Sequence, residues 1–193
     1  MRGCPFCNVE NAVDAHHCRN CGVDLQQAQT RRKNWRSETQ RHLKQRQDAR
    51  QQAMNNELQQ FLEDLDEPEN HPMAIFGLHM LGEEAVEALI NHLDDEDPDA
   101  RYGAAQALGR IRDHRAIRPL IAALNDKEPA VRYWTIDSLG KLQAQESIEA
   151  IGQLIDDDHE GVKEHAIDVL KQFGGPVAER ILKEKTKRRW WPF

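Results

Sequence analysis

Cysteine is absent beyond residue 21, and neither proline nor glycine occurs between Gln26 and Glu67. No stretch approaches the roughly 20 consecutive apolar residues of a membrane-spanning helix. Aromatic residues make up only 6% of the 193 residues and apolar residues 39%, against 31% charged, which argues against a large β-rich core and for helices with charge-dense surfaces. The start, Met1-Arg2-Gly3-Cys4, lacks the apolar run of a secretory signal, so a cytoplasmic, soluble protein is expected. There is no phosphate-binding glycine loop, no cysteine outside the first 21 residues to act as a nucleophile, and no Ser/His/Asp set with supporting context. Catalysis and a small-molecule substrate are therefore not expected. The nine histidines are scattered, and His42, His71, His79, His92, His114, His159 and His165 read as residues of solvated helix faces or loops.

Charge is divided unevenly. Residues 1–50 carry +5 and residues 180–193 another +5, which leaves −17 on residues 51–179 within a total of −7. Such an acidic body between basic ends fits either contact with a polyanion or basic ends that fold back on the body.

All four cysteines fall in two pairs, Cys4-Pro5-Phe6-Cys7 and Cys18-Arg19-Asn20-Cys21, separated by ten residues. Two-residue spacing aims both sulfurs of a pair at one ion, and two such knuckles close a tetrahedron around zinc. The competing reading, two disulfides, needs an oxidising compartment that nothing in the sequence indicates. Gly22 supplies the left-handed backbone that turns amides back toward the sulfurs. These residues resemble the short bacterial zinc-ribbon family, with Leu25 in the position of its conserved-pattern leucine. The resemblance implies a fold of about 25 residues without fixing a job, since family members serve as nucleic-acid binders, docking tags or structural caps. Four cysteine ligands leave no open coordination position, so one structural zinc held by Cys4, Cys7, Cys18 and Cys21 is expected. His16 and His17 read as surface or packing residues.

From Gln26 to Glu67 the residue types favour one long helix, and ten of the fifteen glutamines fall there. Its first half is dominated by Arg31, Arg32, Lys33, Arg36, Arg41, Lys44, Arg46 and Arg50, with Trp35 and Leu43 among few apolar residues. In the second half Met54, Leu58, Phe61, Leu62 and Leu65 recur at helical spacing, so that half should dock.

From Pro68 onward the sequence resembles itself at a period of 31. Arg101, Arg132 and Lys163 correspond, as do Tyr102 and Tyr133, Leu108, Leu139 and Leu170, and Gly109 and Gly140. Leu89, Leu120, Ile151 and Leu182 form a second series, accompanied by Leu93, Leu124 and Ile155. Four units are expected, starting near Pro68, Pro98, Pro129 and Glu160. Each spells two helices, the first opened by an acid and a proline (Asp97-Pro98, Glu128-Pro129) and expected to end at Gly109 or Gly140. A single pair cannot bury its own apolar stripe, so the pairs should stack into a solenoid.

Asp97-Pro98-Asp99-Ala100-Arg101, Glu128-Pro129-Ala130-Val131-Arg132, Ala107-Leu108-Gly109 and Ala116-Ile117-Arg118-Pro119-Leu120 resemble the HEAT repeats of the phycobilin-lyase type over roughly 120 residues. The resemblance implies that the repeated cation is structural, with acids at unit ends such as Asp126 and Asp157 as partners. Two enzyme readings attach to it. A di-iron hydroxylase of similar repeats places His-Glu pairs after the Val-Arg motif, where this sequence has Tyr102-Gly103, Tyr133-Trp134 and Glu164-His165. A bilin lyase ordinarily has a larger array or a partner subunit, and four repeats behind a zinc ribbon depart from that plan.

The expected organisation is mainly α: a zinc ribbon over 1–25, a long basic-to-amphipathic helix over 26–66, a HEAT-like α-solenoid over 67–187 and an aromatic tail over 188–193. The tail ends Trp190-Trp191-Pro192-Phe193 behind a basic run, a costly set of aromatics to expose unless the last repeat, a protein or an anionic membrane covers them. An adaptor that binds a protein partner through the solenoid is the reading these features favour, with Arg31, Arg32, Lys33, Arg36, Trp190, Trp191 and Phe193 as partner-binding candidates. The alternative is a nucleic-acid-associated factor whose ribbon and basic helix contact phosphates without reading sequence.

Overall fold

The structure, a computed structural model, describes residues 2–4, 7–12, 16–67 and 69–190, without the side chains of Arg2, Asn11, Gln29, Arg32 and residues 186–190. The chain divides into two compact units, residues 1–55 and 56–193, with the division inside the first helix.

In the first unit, strand β1 (Arg2–Gly3) pairs antiparallel with β2 (Glu10–Asn11), and His17 bridges to Asp24. Helix α1 (Leu25–Glu63) follows at once. Its start is fixed by Asp24, whose Oδ1 accepts from the amides of Gln26 and Gln27, both at 2.9 Å. These are two of the donors that the first helical turn leaves unpaired. Leu25 is fully buried against Cys4 and Cys18. Trp35 and Leu43, which have no apolar neighbours at helical spacing, are 65% and 54% exposed.

The second unit is a stack of four helix pairs: α2 (His71–Leu81) with α3 (Val86–His92), α4 (Pro98–Ile111) with α5 (Ile117–Ala123), α6 (Pro129–Lys141) with α7 (Ile148–Gln153), and α8 (Glu160–Phe173) with α9 (Gly175–Trp190). The first helices pack in order, α2 on α4, α4 on α6 and α6 on α8. Leu78, Leu108, Leu139 and Leu170 occupy equivalent, fully buried positions on them, and Leu89, Leu120 and Ile151 do the same on the second helices. One apolar cluster runs through all four pairs. Leu62 and Leu65, from the end of α1 and the turn after it, join that cluster, and Phe61 lies over Gly77, where a Cβ would stand 2.4 Å from its ring.

Three expectations are corrected. Gly109 and Gly140 do not end their helices: α4 continues to Ile111 and α6 to Lys141. Both glycines are buried where neighbouring first helices approach closely. A Cβ on Gly109 would lie 2.3 Å from Ser138 Oγ, and one on Gly140 would lie 3.1 Å from Val169. Ser138 fills the first of these contacts and donates to Ala105 O at 2.7 Å. Second, α9 runs to Trp190, so residues 188–190 continue the last helix instead of opening a separate tail. Third, His71 is 5% exposed and lies inside the stack.

Because Leu139 belongs to an interior pair with stacked neighbours on both sides, Leu139→Ala should cost about 2 to 5 kcal/mol. The same change at exposed Gln172 should stay within about 0.5 kcal/mol. Urea denaturation of both variants checks it.

Candidate functional site

The four cysteine sulfurs all lie within 4.8 Å of one another. Cys4 Sγ is 3.7 Å from Cys21 Sγ, and Cys7 Sγ is 3.5 Å from Cys18 Sγ. None forms a disulfide. A tetrahedral ion bound at about 2.3 Å to each sulfur requires sulfurs about 3.8 Å apart, so this arrangement fits a four-thiolate metal site. Two turns of the same construction build it. The amide of Cys4 donates to Val9 O at 3.0 Å and that of Asn8 to Cys4 O at 3.0 Å; the amide of Cys18 donates to Val23 O and that of Gly22 to Cys18 O, both at 2.9 Å. Gly22 takes the left-handed conformation expected of it, φ +68°, and Asn8 takes the equivalent position with φ +57°. Asparagine is among the few residues that tolerate this region, which is why the first knuckle can dispense with glycine.

The electrostatics of the sulfurs differ. Backbone amides of Cys21 and Asn20 aim at Cys18 and lower its pKa to about 6. Hydrogen bonding by the Val9 backbone and by Asn20 lowers that of Cys7. At Cys21 a backbone hydrogen bond from Val23 pulls downward, but burial and the three neighbouring sulfurs push the thiol up to about 12. Four thiolates this close repel one another, and a bound cation is the simplest way to keep all four ionised.

In the second unit, cations and acids tie one pair to the next. Arg101 Nε and Nη2 donate to the two carboxylate oxygens of Asp126 at 2.7 and 2.9 Å, while its Nη1 donates to the carbonyls of Asp95 and Glu96. Arg132 repeats the arrangement on Asp157 at 2.8 and 2.7 Å, with Nη1 on the carbonyls of Asp126 and Lys127. Each aspartate also accepts the amide two residues on, from Glu128 or His159. Both arginines are nearly buried, and every strong donor of the fork has a partner, the condition for a buried pair to hold. Burial raises the carboxyl of Asp126, but the Arg101 and Glu128 hydrogen bonds outweigh it and hold the group below its ordinary value; Asp157 is lowered in the same way. The equivalent position in the first pair holds His71, whose Nε2 lies 2.6 Å from Leu65 O and whose ring meets Tyr102 edge-on at 4.7 Å. In the last pair Lys163 turns to Glu160 of its own helix at 2.8 Å.

At Tyr133, Trp134 and His165, rings pack on rings. Tyr133 stacks on His165 at 4.1 Å and meets Trp134 edge-on at 5.5 Å. Burial lowers the pKa of His165 despite Asp137, whose Oδ1 is 3.9 Å from Nε2.

Arg31, Lys33 and Arg36 are exposed along α1. The side chains of Arg32 and Trp190, and the whole of Trp191 and Phe193, lie outside the described residues. Exposed apolar residues that sequence reasoning passed over are Met73, Phe76 and Met80, which share one face of α2 and are 70%, 54% and 69% exposed. Their i, i+3, i+7 spacing is the signal that could have found them. No described helix is long and apolar enough to cross a membrane.

The HEAT-repeat family matches residues 55–129 and 117–191. A chain of the complex of CpcE and CpcF of phycocyanin lyase from Nostoc sp. PCC7120 is similar over 68% of this chain and 87% of that one, at 25% identity and a TM-score of 0.59. An engineered protein is similar over 66% of this chain and 59% of its own, at 16% identity and a TM-score of 0.42. No curated protein matches the sequence.

Arg132→Ala leaves the Asp157 carboxylate buried without its partner and should cost about 3 to 5 kcal/mol, whereas the double change Arg132→Met, Asp157→Leu should recover most of that loss. The depressed carboxyls of Asp126 and Asp157 contribute stability that is fully present above the ordinary carboxylate value of 3.8 and is lost as pH falls through their lower values in the fold. Melting temperature should therefore drop below about pH 4, and less steeply in the double variant. Circular dichroism melts from pH 7 to 2.5 read both effects.

Proposed function

The chain belongs to the HEAT-repeat family, and on that premise we propose that it is a non-catalytic adaptor that binds a protein partner through its helix-pair solenoid, with a zinc ribbon as a second docking module. The observation that carries the reading is the stack itself. The inward-facing leucines and the Arg-Asp forks are consumed by packing one pair on the next, which leaves an extended outer surface as what the array offers. The similarity to a chain from a two-protein complex supports a protein partner for this chain as well.

The proposed division assigns residues 1–25 to the ribbon, 26–66 to the linking helix, 67–187 to the solenoid and 188–193 to an aromatic end whose residues 188–190 continue α9. Cys4, Cys7, Cys18 and Cys21 hold one structural zinc in this reading, supported by the sulfur separations. Such an ion supplies the folding free energy that a ribbon of this size cannot draw from its small apolar cluster. Arg31, Arg32, Lys33 and Arg36 of α1, and Trp190, Trp191 and Phe193 near the end of the sequence, are further partner-binding residues in this reading.

Elemental analysis of purified full-length protein should find about one zinc per chain. Cys7→Ser should remove the metal and leave the helical melt of the solenoid in place. Cross-linking in the native cell should then recover a protein bound to the solenoid in both forms, with recovery reduced by Cys7→Ser if the ribbon also docks. Recovery of nucleic acid in place of protein, with retention falling steeply with salt as phosphate contacts require, would overturn the adaptor reading.

A further inference from the structure

Each first helix is followed by a residue of positive φ. After α2, α4 and α8 its amide reaches the carbonyl of Leu78, Leu108 or Leu170, and after α6 it falls one residue later, at Gln143 with φ +53°. In the two outer pairs that residue is glycine, Gly82 at φ +63° and Gly174 at φ +61°. In the second pair it is Arg112, at φ +61°, ψ +34°. The equivalent residue of the third pair, Gln143, is likewise a non-glycine at φ +53°, and at both positions a glycine would be free of the left-handed penalty.

Arg112 lines an open groove of about 710 Å³ together with His79 from α2, Arg110 and Ile111 from α4, and Lys141 from α6. Lys141 is paired with Asp137. Among the described residues neither Arg110 nor Arg112 has an ion pair, and both are exposed. These cations stand out on a stretch that carries −17 over residues 51–179. Cations near helix C-termini complement the helix dipole, which favours positive charge at Arg110, Arg112 and Lys141 alike. On α2, exposed Phe76 lies one turn before His79, and exposed Met80 one turn after Phe76.

We propose that this groove binds an acidic segment of a partner protein, its carboxylates held by Arg110 and Arg112 with Lys141 and His79 at the rim, and a neighbouring apolar side chain resting on Phe76 and Met80. The proposal rests on the adaptor reading and names the chemistry of the partner. Guanidinium groups suit carboxylates because their paired donors match both oxygens. The surrounding acidic surface repels any acidic segment out of register, so attraction is confined to the groove.

The test is fluorescence anisotropy on the full chain with a fluorescein-labelled twelve-residue peptide of glutamates carrying two leucines, against the same peptide with glutamine for glutamate. The acidic peptide should bind saturably and weaken as salt rises, and the glutamine peptide should bind at least tenfold more weakly. Arg112→Gly relieves the left-handed strain, so it should melt no lower than the parent protein yet bind the acidic peptide several-fold more weakly. The pair Arg110→Glu, Arg112→Glu should abolish binding, Phe76→Ser with Met80→Ser should weaken it, and Arg31→Glu with Arg36→Glu should leave it unchanged. Parental affinity in Arg112→Gly and in the double charge reversal would overturn the proposal, as would loss of binding on changing Arg31 and Arg36. Displacement of the peptide by inorganic phosphate or a DNA oligonucleotide at equal charge concentration would also overturn it, by making the groove a general anion site. If Arg110→Glu, Arg112→Glu still cross-links its partner as the parent does, this inference fails while the adaptor reading stands.

Discussion

Two helices of six to sixteen residues cannot enclose their own leucines, and the second unit is organised around that shortage. Each first helix brings a leucine to the same depth, Leu78, Leu108, Leu139 and Leu170, and each is sealed only by the pair next to it. The close approach that seals them needs small residues at the crossings, which is the role of Gly109 against Ser138 and Gly140 against Val169. Lengthening either side chain would push two pairs apart and open the cluster along its whole length.

Apolar packing alone leaves the spacing of the loops undetermined, and the Arg-Asp forks set it. Arg101 and Arg132 each hold two carbonyls of their own loop and the Asp126 or Asp157 carboxylate of the next, which caps the turn it belongs to, and Arg132 also pairs with Asp158. The chain of bonds therefore passes from loop to loop without an unpaired buried group. The fork needs a following pair to supply the aspartate, and it stops at the last pair, where Lys163 turns back to its own helix. At the first pair His71 keeps the contact to the carbonyl six residues before it, as Arg101 and Arg132 do, and replaces the fork with an edge-on ring contact.

The first unit meets the same shortage differently. Its apolar cluster contains little besides Leu25 and the cysteines themselves, so sulfur geometry takes the place of leucine packing. Two knuckles fourteen residues apart use identical amide bonds, and the left-handed residue each requires is filled once by Asn8 and once by Gly22.

The period of 31 residues, the inward positions of the leucines and the clustering of the four cysteines were legible in the sequence, because each depends on residue type at fixed spacing, whereas the pairing of the repeated cation with Asp126 and Asp157 was implied by the resemblance to HEAT repeats. Spacing does not say how near two helices pass, so Gly109 and Gly140 read as helix ends when they are crossing points. Nor does it say what lies above a side chain in the neighbouring pair, so His71 and His165 read as surface histidines when Tyr102 and Tyr133 cover them. The left-handed conformation of Arg112 and the exposure of Met73, Phe76 and Met80 were likewise decided by tertiary structure. A backbone angle at a helix end and the absence of a covering neighbour are set by where the next element packs, and no residue carries that information alone.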